Sequence, residues 1–76
     1  MFNVVIVSSK RTIYEGQARS VFLPGDLGEF EILEFHKPII SLLKHGEIII
    51  DWKKSVAIRK GVAKMSRGEF VALVEE

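Results

Sequence analysis

No apolar run in this 76-residue chain is longer than five residues (Phe70 to Val74), and turn-forming residues break the rest at intervals of about eight to ten. That punctuation is the tightest constraint on what the chain can become. Short β-branched and aromatic runs between glycine, proline and polar breaks fit strands, and none has the length of an amphipathic helix. The same brevity leaves nothing near the roughly 20 apolar residues of a membrane-spanning helix. The expected fold is therefore all-β: a small sandwich or barrel of about eight to ten short strands, with residues 1–76 forming a single domain.

In chain order, the β-branched run Phe2 to Val7 suits a strand covered on both sides. After the polar break Ser8 to Arg11, Thr12 to Glu15 returns as a second strand ended by Gly16, and Arg19 to Leu23 is the third. Pro24-Gly25 stops that strand, because proline lacks an N–H for a ladder and Pro-Gly favours a tight turn. Gly28 is expected at positive φ. Phe30, Ile32 and Leu33 lead back toward the core, and Pro38 holds Lys37 extended. Ile39 to Leu43 fits a strand better than a helical turn. Glu47 to Asp51, Ser55 to Arg59, Gly61 to Met65 and Glu69 to Val74 are further strands, separated by Trp52-Lys53-Lys54, Lys60-Gly61 and Ser66-Arg67-Gly68. The expected core includes Phe30, Leu33, Ile48, Ile50, Val56, Ile58, Val71 and Leu73.

Leu23 to Glu47 concentrates the unusual residues: both prolines, both histidines, three of the six glycines and half of the acids. Glycine and proline impose special backbone angles there, so the segment reads as a shaped loop carried by strands. Charge is segregated along the chain although the net value is only +1. Asp26, Glu29, Glu31 and Glu34 fall together without a base, and Lys53, Lys54, Arg59, Lys60, Lys64 and Arg67 fall together without an acid. These are either two solvated faces or two contact surfaces of opposite sign. With no cysteine there is neither a disulfide framework nor a thiolate metal site, which suits a reducing compartment. The N-terminus lacks the pattern of a signal peptide.

Leu23-Pro24-Gly25-x-x-Gly28-Glu29-Phe30-x-Ile32-Leu33-x-x-His36-x-Pro38, then Ser41-x-Leu43-Lys44-x-Gly46-Glu47-Ile48, resembles the signature of the ε-subunit family of F-type ATP synthases, whose mitochondrial counterpart is called δ. Tyr14-Glu15-Gly16, Val21, Gly61 and the final Val71 to Glu75 strand agree in order, so the resemblance spans nearly the whole chain. It implies an N-terminal β-sandwich at the foot of the central stalk, between the γ subunit and the loops of the membrane c-ring. Such a domain turns with the rotor, couples proton translocation to ATP synthesis, and has no catalytic site, cofactor or metal of its own. It also implies a peripheral position on the cytoplasmic, or equivalent nucleotide-containing, face of an energy-transducing membrane, reached through the complex without direct insertion. Family members commonly continue into a C-terminal helical hairpin that can inhibit ATP hydrolysis and in some binds ATP. This chain stops at Glu76, so no hairpin is expected within it. Three departures fall in the contact region: Glu31 replaces a glycine, Glu34-Phe35 stands where Pro-Gly or Pro-Asn is usual, and Lys37 replaces alanine.

Carried over residue by residue, the resemblance assigns Gly25, Asp26, Leu27, Gly28, Glu29, Phe30 and Glu31 to c-ring contact, and His36 and Ser41 to γ contact. The c-ring loop typically offers an arginine, to which a carboxylate such as Glu29 can make a charge-assisted hydrogen bond. Read locally, Glu29 caps a turn, His36 pins the loop by a hydrogen bond, and Ser41 is a half-buried strand hydroxyl. A single histidine without histidine or cysteine partners is a poor zinc site. Gly25, Gly28, Gly46 and Gly61 read as backbone devices, and Trp52 as a hairpin lid or an anchor for γ. The alternative is a nucleic-acid-binding β-barrel that uses Lys53 to Arg67 as a phosphate track and Trp52 as a stacking platform. A small hydrolase built on Asp26 or Glu29 with His36 lacks a nucleophile elbow, a phosphate-binding glycine loop and room for a pocket.

Overall fold

A computed structural model describes residues 1–76. It contains nine strands and no helix: β1 (Phe2–Val7), β2 (Thr12–Ala18), β3 (Ser20–Leu23), β4 (Phe30–Leu33), β5 (Ile39–Leu43), β6 (Gly46–Ile50), β7 (Lys54–Ile58), β8 (Lys60–Ser66) and β9 (Glu69–Glu75). They form a five-stranded sheet in the order β2-β1-β9-β8-β5 and a four-stranded sheet in the order β4-β3-β6-β7. All pairings are antiparallel except β1 with β9, which run parallel. The expected all-β sandwich is the observed architecture.

Seventeen buried apolar side chains fill the space between the sheets, with Phe2, Phe70, Ile6, Leu23, Ile32, Ile48 and Met65 the largest of those fully enclosed. Side chains alternate across a strand, so each strand contributes one parity to this core. In β9 that parity is Phe70, Ala72 and Val74. Three residues expected in the core are therefore outside it: Val71 and Leu73 are 45% and 51% exposed on β9, and Leu33 is 53% exposed on β4. Phe30 is half-buried and packs against the core edge, while Ile48, Ile50, Val56 and Ile58 are buried as expected. Where a run is apolar at both parities, only the pairing register decides which set faces in. Val4↔Phe70 and Ile6↔Ala72 set it here. For the same reason β1 is not covered on both sides: Phe2, Val4 and Ile6 are buried, Asn3 is exposed, and Val5 and Val7 are half-buried.

Some boundaries also move. The second strand does not end at Gly16; it continues to Ala18 because Gly16 pairs with Val4, its open face covered by the Tyr14 ring. Arg19 is the corner between the two sheets. The Asp51 Oδ1 fastens that corner by accepting from the backbone N–H groups of Arg19 (2.7 Å) and Ser20 (3.0 Å). Asp51 is thus a turn residue, not the end of β6. Successive strands run in alternate directions, so turns gather at two ends. Residues 8–11, 24–29, 44–45 and 59 lie at one end, and residues 34–38, 51–53 and 67–68 at the other.

The register predicts unequal costs for two apolar truncations on one strand. Phe70→Ala should lower the unfolding free energy by about 3–5 kcal/mol. Leu73→Ala should cost about 1 kcal/mol or less. For a chain this size, with total stability of roughly 4–11 kcal/mol, urea titration would separate the two clearly.

Candidate docking surfaces

Between β3 and β4 the chain forms a tongue, residues 24–29, whose root is enclosed and whose tip is open. Pro24 and Gly25 are buried, whereas Asp26, Leu27, Gly28 and Glu29 are exposed. Two backbone hydrogen bonds fix the root to β5 and the turn that follows it: Asp26 N–H to the Leu42 carbonyl and Lys44 N–H to the Pro24 carbonyl, each 2.9 Å. The Gly28 N–H donates to the Gly25 carbonyl at 3.0 Å and closes the tip, and Gly28 takes a φ of 140° as expected. Gly25 is required for a different reason. A Cβ there would lie 2.5 Å from the Gly28 carbonyl oxygen and 2.7 Å from the Phe30 ring, so the turn closes only around a residue without a side chain.

The acidic run does not act as one surface. Asp26 and Glu29 are on the tongue tip. The half-buried Glu31 lies on β4, where its carboxylate accepts from Trp52 Nε1–H at 2.9 Å. Glu34, at the other end, holds the N-terminal ammonium at 2.7 Å. Of the seven residues expected to form one contact loop, Asp26, Leu27, Gly28 and Glu29 thus stand at the tip. Gly25 and Phe30 build the root, and Glu31 faces an internal partner. Trp52, 60% exposed in the β6–β7 turn, packs tilted against Phe22 with ring centroids 5.3 Å apart.

His36 and Ser41 sit away from the tongue tip. His36 follows the β4–β5 turn, its N–H donating to the Leu33 carbonyl at 3.1 Å and its Nδ1 lying 2.7 Å from the Lys37 carbonyl oxygen. That oxygen can only accept, so Nδ1 carries the proton. The Ser41 hydroxyl donates to the Leu42 carbonyl at 3.1 Å and is half-buried. The basic run is split by its hairpins. Lys53, Lys54 and Arg67 belong to one end of the sandwich, Arg59 and Lys60 to the other, and Lys64 lies on the outer face of the larger sheet, so there is no continuous phosphate track. At the tongue end, a hollow of about 970 Å³ opens among Lys10, Leu42, Lys44, Arg59 and Glu76. Its rim carries both signs of charge.

One surface has no counterpart in the sequence reading. Ile40 (71% exposed), Leu42 (64%), Val71 and Leu73 all project from the outer face of the larger sheet. The register places Val62 between Leu42 and Leu73, and Lys64 between Ile40 and Val71. The only sequence signal was that β5 and β9 are apolar at both parities, leaving a second apolar row with nothing to cover it.

The family model described as "ATP synthase, Delta/Epsilon chain, beta-sandwich domain" matches residues 1–76. The ATP synthase epsilon chain of a Nitratiruptor species is 39% identical over 74 residues, covering 92% of this chain and 57% of that protein. The ATP synthase epsilon chain of Campylobacter lari is 41% identical over 81 residues, covering 99% and 61%. This chain therefore spans less than two thirds of the length of these relatives. A chain from the cryo-EM structure of the Tetrahymena thermophila mitochondrial ATP synthase central stalk and c-ring superposes with a TM-score of 0.79, covering 97% of this chain and 63% of that one. At 8% identity that likeness speaks for the fold alone.

Two outcomes follow from the local geometry. Gly25→Ala should destabilise the chain by roughly 1–3 kcal/mol, measured by urea unfolding, because the added carbon has no room. The second concerns the Arg11–Glu76 pair across the ends of β2 and β9. Its hydrogen bonds, then its charge attraction, hold the Glu76 carboxyl below the usual glutamate range, and they raise Arg11. A carboxyl lowered on folding stabilises above its unfolded pKa and loses that effect as pH falls through the folded value. The stability difference between wild type and Arg11→Gln should therefore shrink on acidification from neutrality to about pH 3.

Proposed function

The chain belongs to the ATP synthase delta/epsilon β-sandwich family, and on that premise we propose that residues 1–76 act as one rigid element of the rotor of an F-type ATP synthase. In this reading the tongue tip meets the loops of the c-ring and the β5 side of the sandwich meets γ. The chain transmits rotation that couples proton translocation to ATP synthesis and contributes no catalytic group. It is held peripherally at an energy-transducing membrane through those partners.

The observation that carries this reading is the mechanical link between the two surfaces. The tongue root is hydrogen-bonded to the Leu42 carbonyl and the Lys44 N–H, at the end of the strand that bears Ser41 and the exposed Ile40 and Leu42. A lateral force on the tip enters β5 through backbone bonds without crossing a flexible loop. Gly25 keeps that junction closed, and Gly28 supplies the turn that presents Asp26 and Glu29. The two surfaces also differ in chemistry. The tip offers carboxylates to a cationic partner, and the sheet face offers apolar area, the larger source of binding free energy.

Each exposed charge pair adds only about 0–1 kcal/mol, so tip contacts register position more than they supply affinity. Glu29→Lys should therefore weaken attachment to purified c-ring roughly threefold to tenfold, with an unchanged thermal midpoint and unchanged affinity for γ. Equal c-ring binding by the charge-reversed and unaltered chains would reject the tip contact.

A further inference from the structure

Two aromatic residues at the end of the sandwich opposite the tongue occupy backbone positions that favour glycine. In the β6–β7 turn, Lys53 N–H donates to the Ile50 carbonyl at 3.0 Å, and Asp51 and Trp52 both have positive φ (53° and 55°). This is a type I′ turn, whose third residue is most often glycine. In the β4–β5 turn, His36 N–H donates to the Leu33 carbonyl, and the third residue, Phe35, has a φ of 68°. Positive φ at that position alone is the type II pattern, again a place for glycine or asparagine. A bulky side chain in the left-handed region is an unfavourable choice in either turn.

The two differ in what offsets it. Trp52 packs tilted against Phe22 and donates its indole N–H to Glu31, so its ring is used inside the fold. Phe35 is 92% exposed and stacks on no other aromatic ring. Backbone strain and an exposed phenyl are both unfavourable, and nothing within the chain offsets either. Two apolar side chains near it in sequence, Leu33 on β4 and Ile40 on β5, are also more than half exposed.

We infer that Phe35 is an anchor for the stalk subunit: its ring seats in an apolar pocket of γ, next to the contact proposed for His36. Large rigid aromatics in desolvated pockets carry a disproportionate share of interface energy. The unaltered turn is thereby held in a strained form whose ring becomes useful only on docking. This assignment rests on the proposed γ contact of the β5 side.

The test is a set of three variants of the 76-residue chain, Phe35→Gly, Phe35→Asn and Phe35→Leu, titrated against cognate γ by calorimetry, with thermal unfolding in parallel. Glycine and asparagine suit the left-handed backbone, so both should leave the thermal midpoint unchanged or raise it by up to about 5 °C. Both should raise Kd for γ at least tenfold, while Phe35→Leu keeps it within about threefold. Equal γ affinity of Phe35→Gly and the unaltered chain would overturn the anchor and leave the rotor reading standing. A lowered midpoint in both turn-compatible variants would assign the ring to the fold and also overturn it. If the unaltered chain itself failed to bind γ, the parent reading would fall, and this one with it.

Discussion

The structure depends on one condition: the inward parity of all nine strands must close on a single apolar layer. Phe2, Val4 and Ile6 from β1, Phe70, Ala72 and Val74 from β9, and Ile48 and Ile50 from β6 meet that condition together. Once they do, the outward parity of each strand is settled without further choice. Ile40, Leu42, Val71 and Leu73 are outside because their neighbours are inside. The apolar outer face is thus a by-product of register. In the rotor role proposed above, it is the area on which a partner would rest.

The corners show how a chain with so few residues holds two sheets in place. Asp51 does this with one carboxylate oxygen and its own backbone. It accepts from Arg19 and Ser20, its N–H donates to the Ser20 carbonyl at 2.9 Å, and it opens the type I′ turn. The β2–β3 corner and the β6–β7 hairpin are therefore one unit. Trp52 extends that unit to β3 through Phe22 and to β4 through Glu31. The tongue at the far end uses backbone bonds alone, which suits the tip contact proposed for it.

Most strands were legible because their ends carry chemistry readable residue by residue. Proline cannot donate, glycine alone tolerates the Gly28 backbone, and Ser-Arg-Gly marks a turn. Legibility ends where strand pairing decides. Gly16 looked like a stop and is a paired strand residue, because a glycine in a ladder is decided by the strand beside it. Val71 and Leu73 looked like core, because period-two reasoning has two solutions in a run that is apolar throughout. Charge runs were the least informative feature. Hairpins sent neighbours in sequence to opposite ends, and the six clustered bases became three separate groups.

What the sequence determined by itself was the class of fold and the family, since both reside in local features: run length, turn residues and a motif of glycines, proline, histidine and acid at set offsets. Tertiary structure alone decided which acids remain free for a partner, which apolar row is exposed, and that the tongue is bonded to β5. Those are relations between residues distant in the chain, such as Glu31 with Trp52, Glu34 with the N-terminal amine and Asp26 with Leu42. Register and backbone pairing create them, and a linear pattern carries no information on pairing when both parities are apolar.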